Sequence, residues 1–159
     1  MYGYIYGLIP FAKPGISGTV YRDNNGLPVN AGGTGGAVYN SSANGILHVN
    51  VLDATGTTVI ETAQVNNSGV YNIPEGGDLM QGTTYVLQLS KNPGIIGQPA
   101  PAKELHTNWI TVGESLFASG TSDGSPNGLL TITLGDTNST TTRFGVNTCT
   151  PPAITIQPT

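Results

Sequence analysis

The sequence predicts an all-β fold, a β-sandwich of about seven to nine strands with extended terminal segments. Three observations carry this. Apolar residues recur at spacing two. Gly, Pro or Asn interrupts nearly every window before a helical stripe forms, so nothing reads as a helix. Only 9% of residues are charged, and Gly, Pro, Thr, Asn and Ser supply the polar surface instead, the composition of a secreted β protein.

The predicted strands are Ile16–Tyr21, Ile46–Leu52, Thr57–Gln64, Gly69–Ile73, Thr84–Leu89, Trp109–Val112, Leu129–Leu134 and Arg143–Val146, each bounded by turn residues. In Leu47-His48-Val49-Asn50-Val51 and in Leu130-Thr131-Ile132-Thr133-Leu134, apolar and polar residues alternate, so each strand is expected to bury one face and wet the other. Asp53-Ala54-Thr55-Gly56 is a tight-turn sequence between two strands. A length of 159 residues fits one sandwich. We place it at 15–147, after an N-terminal extended strand at 1–14 and before a C-terminal tail or linker at 148–159.

The net charge is −4, and the five bases Lys13, Arg22, Lys91, Lys103 and Arg143 are scattered. Without a basic patch, nucleic-acid binding is not expected. No apolar run reaches the roughly 20 residues of a membrane helix, so membrane insertion is not expected either. Ala31-Gly32-Gly33-Thr34-Gly35-Gly36 lacks the Lys-Ser/Thr and the helix of a phosphate cradle. His48 and His106 are the only histidines and stand in no catalytic motif, so the chain is expected to be no enzyme and to carry no cofactor. His48 is placed on the wet strand face and His106 in a loop.

Several runs, taken in order, resemble a known family. They are Ile16-Ser17-Gly18-Thr19-Val20-Tyr21-Arg22-Asp23-Asn24-Asn25-Gly26, Val49-Asn50-Val51-Leu52-Asp53, Asn67-Ser68-Gly69-Val70-Tyr71-Asn72-Ile73, Thr84-Tyr85-Val86-Leu87-Gln88-Leu89-Ser90 and Ser122-Asp123-Gly124-Ser125-Pro126-Asn127-Gly128. The chain is similar to the B-type, prealbumin-like domains of serine-aspartate-repeat surface proteins, in the version found in large surface proteins of Bacteroidota. The resemblance covers about Gly15 to Asn147. It implies an immunoglobulin-like or prealbumin-like sandwich that serves as a stalk or spacer on the cell surface, in series with neighbouring modules, and in some members calcium that stiffens the stalk. The tail Thr150–Pro158 looks like the start of another extracellular repeat.

Asp23 and Asn25 stand where the family often carries a calcium loop. A hard cation wants several oxygen ligands, yet Leu27 and Pro28 follow with no second carboxylate, which favours an Asx turn over a weak calcium site. Asp53, Glu114, Asp123 and Asp136 could add oxygens only if the fold brought them together. Lys13 and Asn147 flank the first and last strands, where related domains close a Lys-Asn isopeptide bond, but an exposed lysine is the expectation here. Trp109 is either a sugar platform or core, with core the more ordinary role beside Ile110 and Val112. Asn40, Asn66 and Asn138 satisfy the N-glycosylation pattern, and Thr137–Thr142 could accept O-linked sugar in a secreted host. Cys149, the single cysteine, could pair only between chains, or with residues beyond these.

In Met1–Phe11, Tyr2, Tyr4 and Tyr6 project to one face of an extended strand while Gly3, Ile5 and Gly7 face the other. Such a strand pairs within its own sandwich, is a cloning or signal remnant, or adds to a neighbouring subunit. On the last reading Tyr2, Tyr4, Ile5, Tyr6, Leu8 and Ile9 make a self-association contact, and a head-to-tail contact that does not close gives a fibre. The expected function is therefore a non-catalytic extracellular module of a surface fibre. The alternative is an adhesin-type module that binds carbohydrate or uses calcium.

Overall fold

The computed structural model describes residues 13–23, 37–116, 122, 124–135 and 139–149. Eight strands are found among them: β1 (Gly15–Arg22), β2 (His48–Leu52), β3 (Val59–Gln64), β4 (Val70–Ile73), β5 (Thr84–Ser90), β6 (Trp109–Leu116), β7 (Leu129–Thr133) and β8 (Ser139–Thr148). They form a sandwich of two four-stranded sheets. One has the order β4-β1-β8-β6 and the other β3-β2-β5-β7. Each predicted strand has its counterpart in the chain.

The alternating apolar residues meet between the sheets. Ile16 and Val20 of β1, Tyr71 of β4, and Phe144 and Val146 of β8 face Val49 and Val51 of β2, Leu87 and Leu89 of β5, and Leu130 and Ile132 of β7 in one buried cluster. Gly18 is required by this packing. A β-carbon there would overlap the Tyr71 hydroxyl and the Thr142 carbonyl, so the inward-facing position is kept empty for the tyrosine ring.

β1 pairs with β8 in parallel, from Gly15 opposite Ser139 to Arg22 opposite Val146, whereas the other strand pairs are antiparallel. Strand order, which alternation cannot supply, thus joins the first strand to the last. A constant-type immunoglobulin domain instead puts its first two strands in one sheet; here β1 and β2 lie in opposite sheets.

Three expectations need correction. A short helix, α1 (Ser41–Asn44), is present, capped by the Asn40 side chain, which accepts from the Ala43 amide at 3.1 Å. A four-residue turn carries no apolar stripe, so periodicity could not announce it. The last strand begins before Arg143 and takes in the end of the Thr-rich run. From Ser139 that run belongs to β8, with Thr140 and Thr142 buried and the Thr142 hydroxyl hydrogen-bonded to the Tyr71 hydroxyl. Finally, the outward face of β2 is not wet: Asn50 and Leu52 are almost wholly inaccessible.

Candidate functional site

The parallel pair β1–β8 gives the domain two poles. The described chain starts at Lys13, beside the start of both strands, and β8 ends at Thr148 at the opposite end. The two exits are therefore separated by the length of a strand, about 26 Å for eight residues at the usual rise. Lys13 is exposed at the entry pole and Asn147 lies near the exit pole. The isopeptide geometry is thereby excluded, since parallel strands keep their unlike ends apart.

The exit pole carries an aromatic cluster. Trp109 opens β6 opposite Thr148. Its ring meets Tyr39 edge-on, centroids 5.2 Å apart at 77°, and the Arg22 guanidinium lies 5.6 Å from its centroid. The Tyr39 hydroxyl donates to the Asn44 and Gly45 carbonyls at 3.0 and 2.8 Å, tying α1 to the cluster, and burial pushes its pKa up to about 12. Trp109 is thus half-buried against the core. Next to it Cys149 presents an exposed thiol, with its backbone amide bonded to the Asn108 carbonyl at 2.7 Å.

A second constellation covers the outer face of the β3-β2-β5-β7 sheet. After β5 the chain runs out over β2 to the edge of β3, turns at Ile95–Gln98, and returns before β6. Val59 donates to the Gln98 carbonyl at 2.9 Å, Gly97 to the Val59 carbonyl at 2.8 Å, and Ala100 to the Thr57 carbonyl at 2.8 Å. The neck closes through Lys91 N–H to Glu104 C=O at 2.6 Å and a Lys91–Glu104 ion pair at 3.0 Å. Ends this close define an Ω-loop.

Three polar residues on the outward face hold the loop down. Asn50 donates to Gln88 Oε1 and the Asn92 carbonyl, both at 3.1 Å, and accepts from Gly94 N–H at 2.7 Å and the Thr62 hydroxyl at 2.8 Å. Gln88 donates to the Pro101 carbonyl at 3.1 Å. The Ser90 hydroxyl donates to the Ala102 carbonyl at 2.8 Å and accepts from Asn92 N–H at 3.1 Å. All three side chains are buried, so the loop converts a solvent face into a second, polar interior. Residue types alone hide this, because Asn, Gln and Ser on an alternating strand are also what a wet face carries. The one sequence signal was the long span between Ser90 and Trp109, where a median connection is about four to six residues.

His48 shares this face and is half-buried, with Nδ1 inaccessible and without a hydrogen-bond partner. It does not lie on a wet face as expected, and the loop is the reason. His106 places Nε2 2.8 Å from the Ile46 carbonyl, against Gly45, whose φ of +95° and contact with the ring leave no room for a side chain.

Other expected site residues are dispersed. Asp23 is fully buried at the end of β1, its amide donating to the Val146 carbonyl at 3.0 Å. Glu114 is buried level with Phe144 and accepts from Gly128 N–H. Asp53 caps its own turn, accepting from Thr57 N–H at 2.9 Å and the Thr55 hydroxyl at 2.8 Å, bonds that hold its pKa well below the carboxylate range. Among the described residues no three His, Cys, Asp or Glu side chains converge on a metal position. Asn66 is exposed and accepts from Ser68 N–H and Val70 N–H, both at 2.9 Å, while Asn40 caps α1. Asn25, Asp123, Asp136, Asn138 and the contact residues Tyr2, Tyr4, Ile5, Tyr6, Leu8 and Ile9 lie outside the described residues.

Beside the loop, a cavity of about 390 Å³ is lined by Leu52, Val86, Leu129, Thr131 and Lys103. A second, of about 200 Å³, shares Lys103 and Asn127 and reaches Trp109. The Gln88 and Asn127 amides lining them are engaged inside the protein, Asn127 with Leu129 N–H at 2.8 Å. Among the described residues no helix is long and apolar enough to cross a membrane. No family model, curated protein or solved structure matches the chain.

Proposed function

We propose that the chain is a non-catalytic structural module of an extracellular fibre or large cell-surface protein, joined to its neighbours through its terminal segments. The single observation that carries the reading is the parallel pairing of β1 with β8 at the centre of one sheet. Modules in series pull β1 toward the entry pole and β8 toward the exit pole. Because the strands are parallel neighbours, this tension runs along the ladder and loads its hydrogen bonds together rather than one after another. On this reading the segment preceding β1 of one copy meets the exit pole of the copy behind it, a head-to-tail contact that need not close.

On this reading Met1–Phe11 supplies the strand that adds to a neighbour, and Cys149, exposed at the exit pole, is placed to crosslink successive copies. Light scattering and negative-stain microscopy of the full chain and of a chain lacking Met1–Phe11 test the reading. Filaments that disappear on truncation support it, and compact monomers in both cases remove the self-association.

A further inference from the structure

Both histidines of the chain lie where the stretch Gly45–His48 meets the connection between β5 and β6. His48 lies opposite Ser90, whose hydroxyl is the hub of the loop neck. His106, beyond the loop, bonds the Ile46 carbonyl at 2.8 Å. The two rings respond differently to a proton. A carbonyl only accepts, so Nε2 of His106 donates in the neutral and the charged state alike. Nδ1 of His48 is buried without a partner: as a bare lone pair it is tolerated, but as an N–H it becomes a buried donor with no acceptor, on a ring that now carries charge.

The groups around His48 compensate only in part, through a backbone hydrogen bond with Lys91. Gln64 of β3 and Ser90 of β5 flank it in register and are neutral. On the loop side stand Lys91, a like charge, and Glu104, whose carboxylate is already paired with Lys91 at 3.0 Å.

We infer that the Ω-loop is an acid-released latch whose sensor is His48: protonation loosens the neck at Ser90 and Lys91 and uncovers the β3 edge at Thr57–Val59. The inference is independent of the structural role proposed above. Burial holds the His48 pKa below the ordinary 6.5, partly opposed by a backbone hydrogen bond with Lys91. The folded pKa being depressed, the contribution to loop stability is complete above 6.5 and declines as pH falls below it, levelling once the folded form is protonated.

Amide exchange at pH about 7.5 and about 5, corrected for intrinsic rates, tests this. The Lys91, Val59, Gly97 and Ala100 amides should open several-fold more at the lower pH, while the Val20 amide, bonded to the Gly69 carbonyl at 2.7 Å in the other sheet, should not change. His48→Gln should abolish the pH effect and His106→Gln should retain it. In the unmodified protein the His48 ring signal should titrate below 6.5 and together with loop opening. The latch is overturned by a His48 midpoint at or above 6.5, by a pH effect that survives His48→Gln, or by loop and Val20 amides opening together.

Discussion

β2 and β7 lie in the same sheet and carry the same alternation of apolar and polar residues, yet their outward faces have opposite fates. On β7, Thr131 and Thr133 are exposed, and the Thr133 hydroxyl meets the Thr84 hydroxyl at 2.9 Å. On β2, Asn50 is fully buried beneath the Ω-loop with four hydrogen-bonding contacts. Alternation fixes which face enters the core, because period two is a property of the strand itself. What covers the other face is decided by a segment more than forty residues away, of the order of a supersecondary motif, and the strand's own residues are silent about it.

The largest expected effect comes from Asn50→Ala. It leaves Gly94 N–H, Gln88 Oε1 and the Asn92 carbonyl without their partner beneath the loop, a loss of about 2 to 4 kcal/mol in urea denaturation. An effect under about 0.5 kcal/mol would show that the loop is already detached in solution. Ser90→Ala follows, at about 1 to 2 kcal/mol, because its hydroxyl both donates and accepts at the neck. Loss of protection should be concentrated in the loop amides in both variants, and equal loss throughout the sheet would make the loop part of the global unfolding unit. Smaller again is the decline in loop protection below the ordinary histidine pKa, read by amide exchange. The smallest is Thr131→Ala on β7, within about 0.5 kcal/mol of the parent. A cost similar to that of Asn50→Ala would mean that the outer face of β7 is covered too.

The sandwich itself was legible because inward residues such as Val49, Val51, Leu130 and Ile132 form the core wherever the chain is strand. Strand ends were less so. β8 extends back to Ser139 because Thr140 and Thr142 are β-branched and Thr142 finds a hydroxyl partner in Tyr71, while a run of threonines reads equally well as an exposed loop. β6 extends to Leu116 with Glu114 turned inward, where its carboxylate accepts from the Gly128 amide. A carboxylate in a core strand is predicted only when its distant donor is known. The same limit hid the environments of Asp23 and His48, each fixed by a contact from another element. The sequence also could not show that β1 neighbours β8 in parallel, since registers between the two ends of a chain leave no mark in local pattern.

The central claim is that β1 and β8 form the force-bearing pair between the two poles. Single-molecule pulling through Lys13→Cys and the native Cys149 loads this ladder along its length. Pulling through Lys13→Cys and Ser139→Cys, with Cys149→Ser, separates the same strands from one end. The account predicts a several-fold higher rupture force in the first geometry, with an extension that marks release of the whole domain. Equal forces in the two geometries, or a lower force along the length, would contradict it.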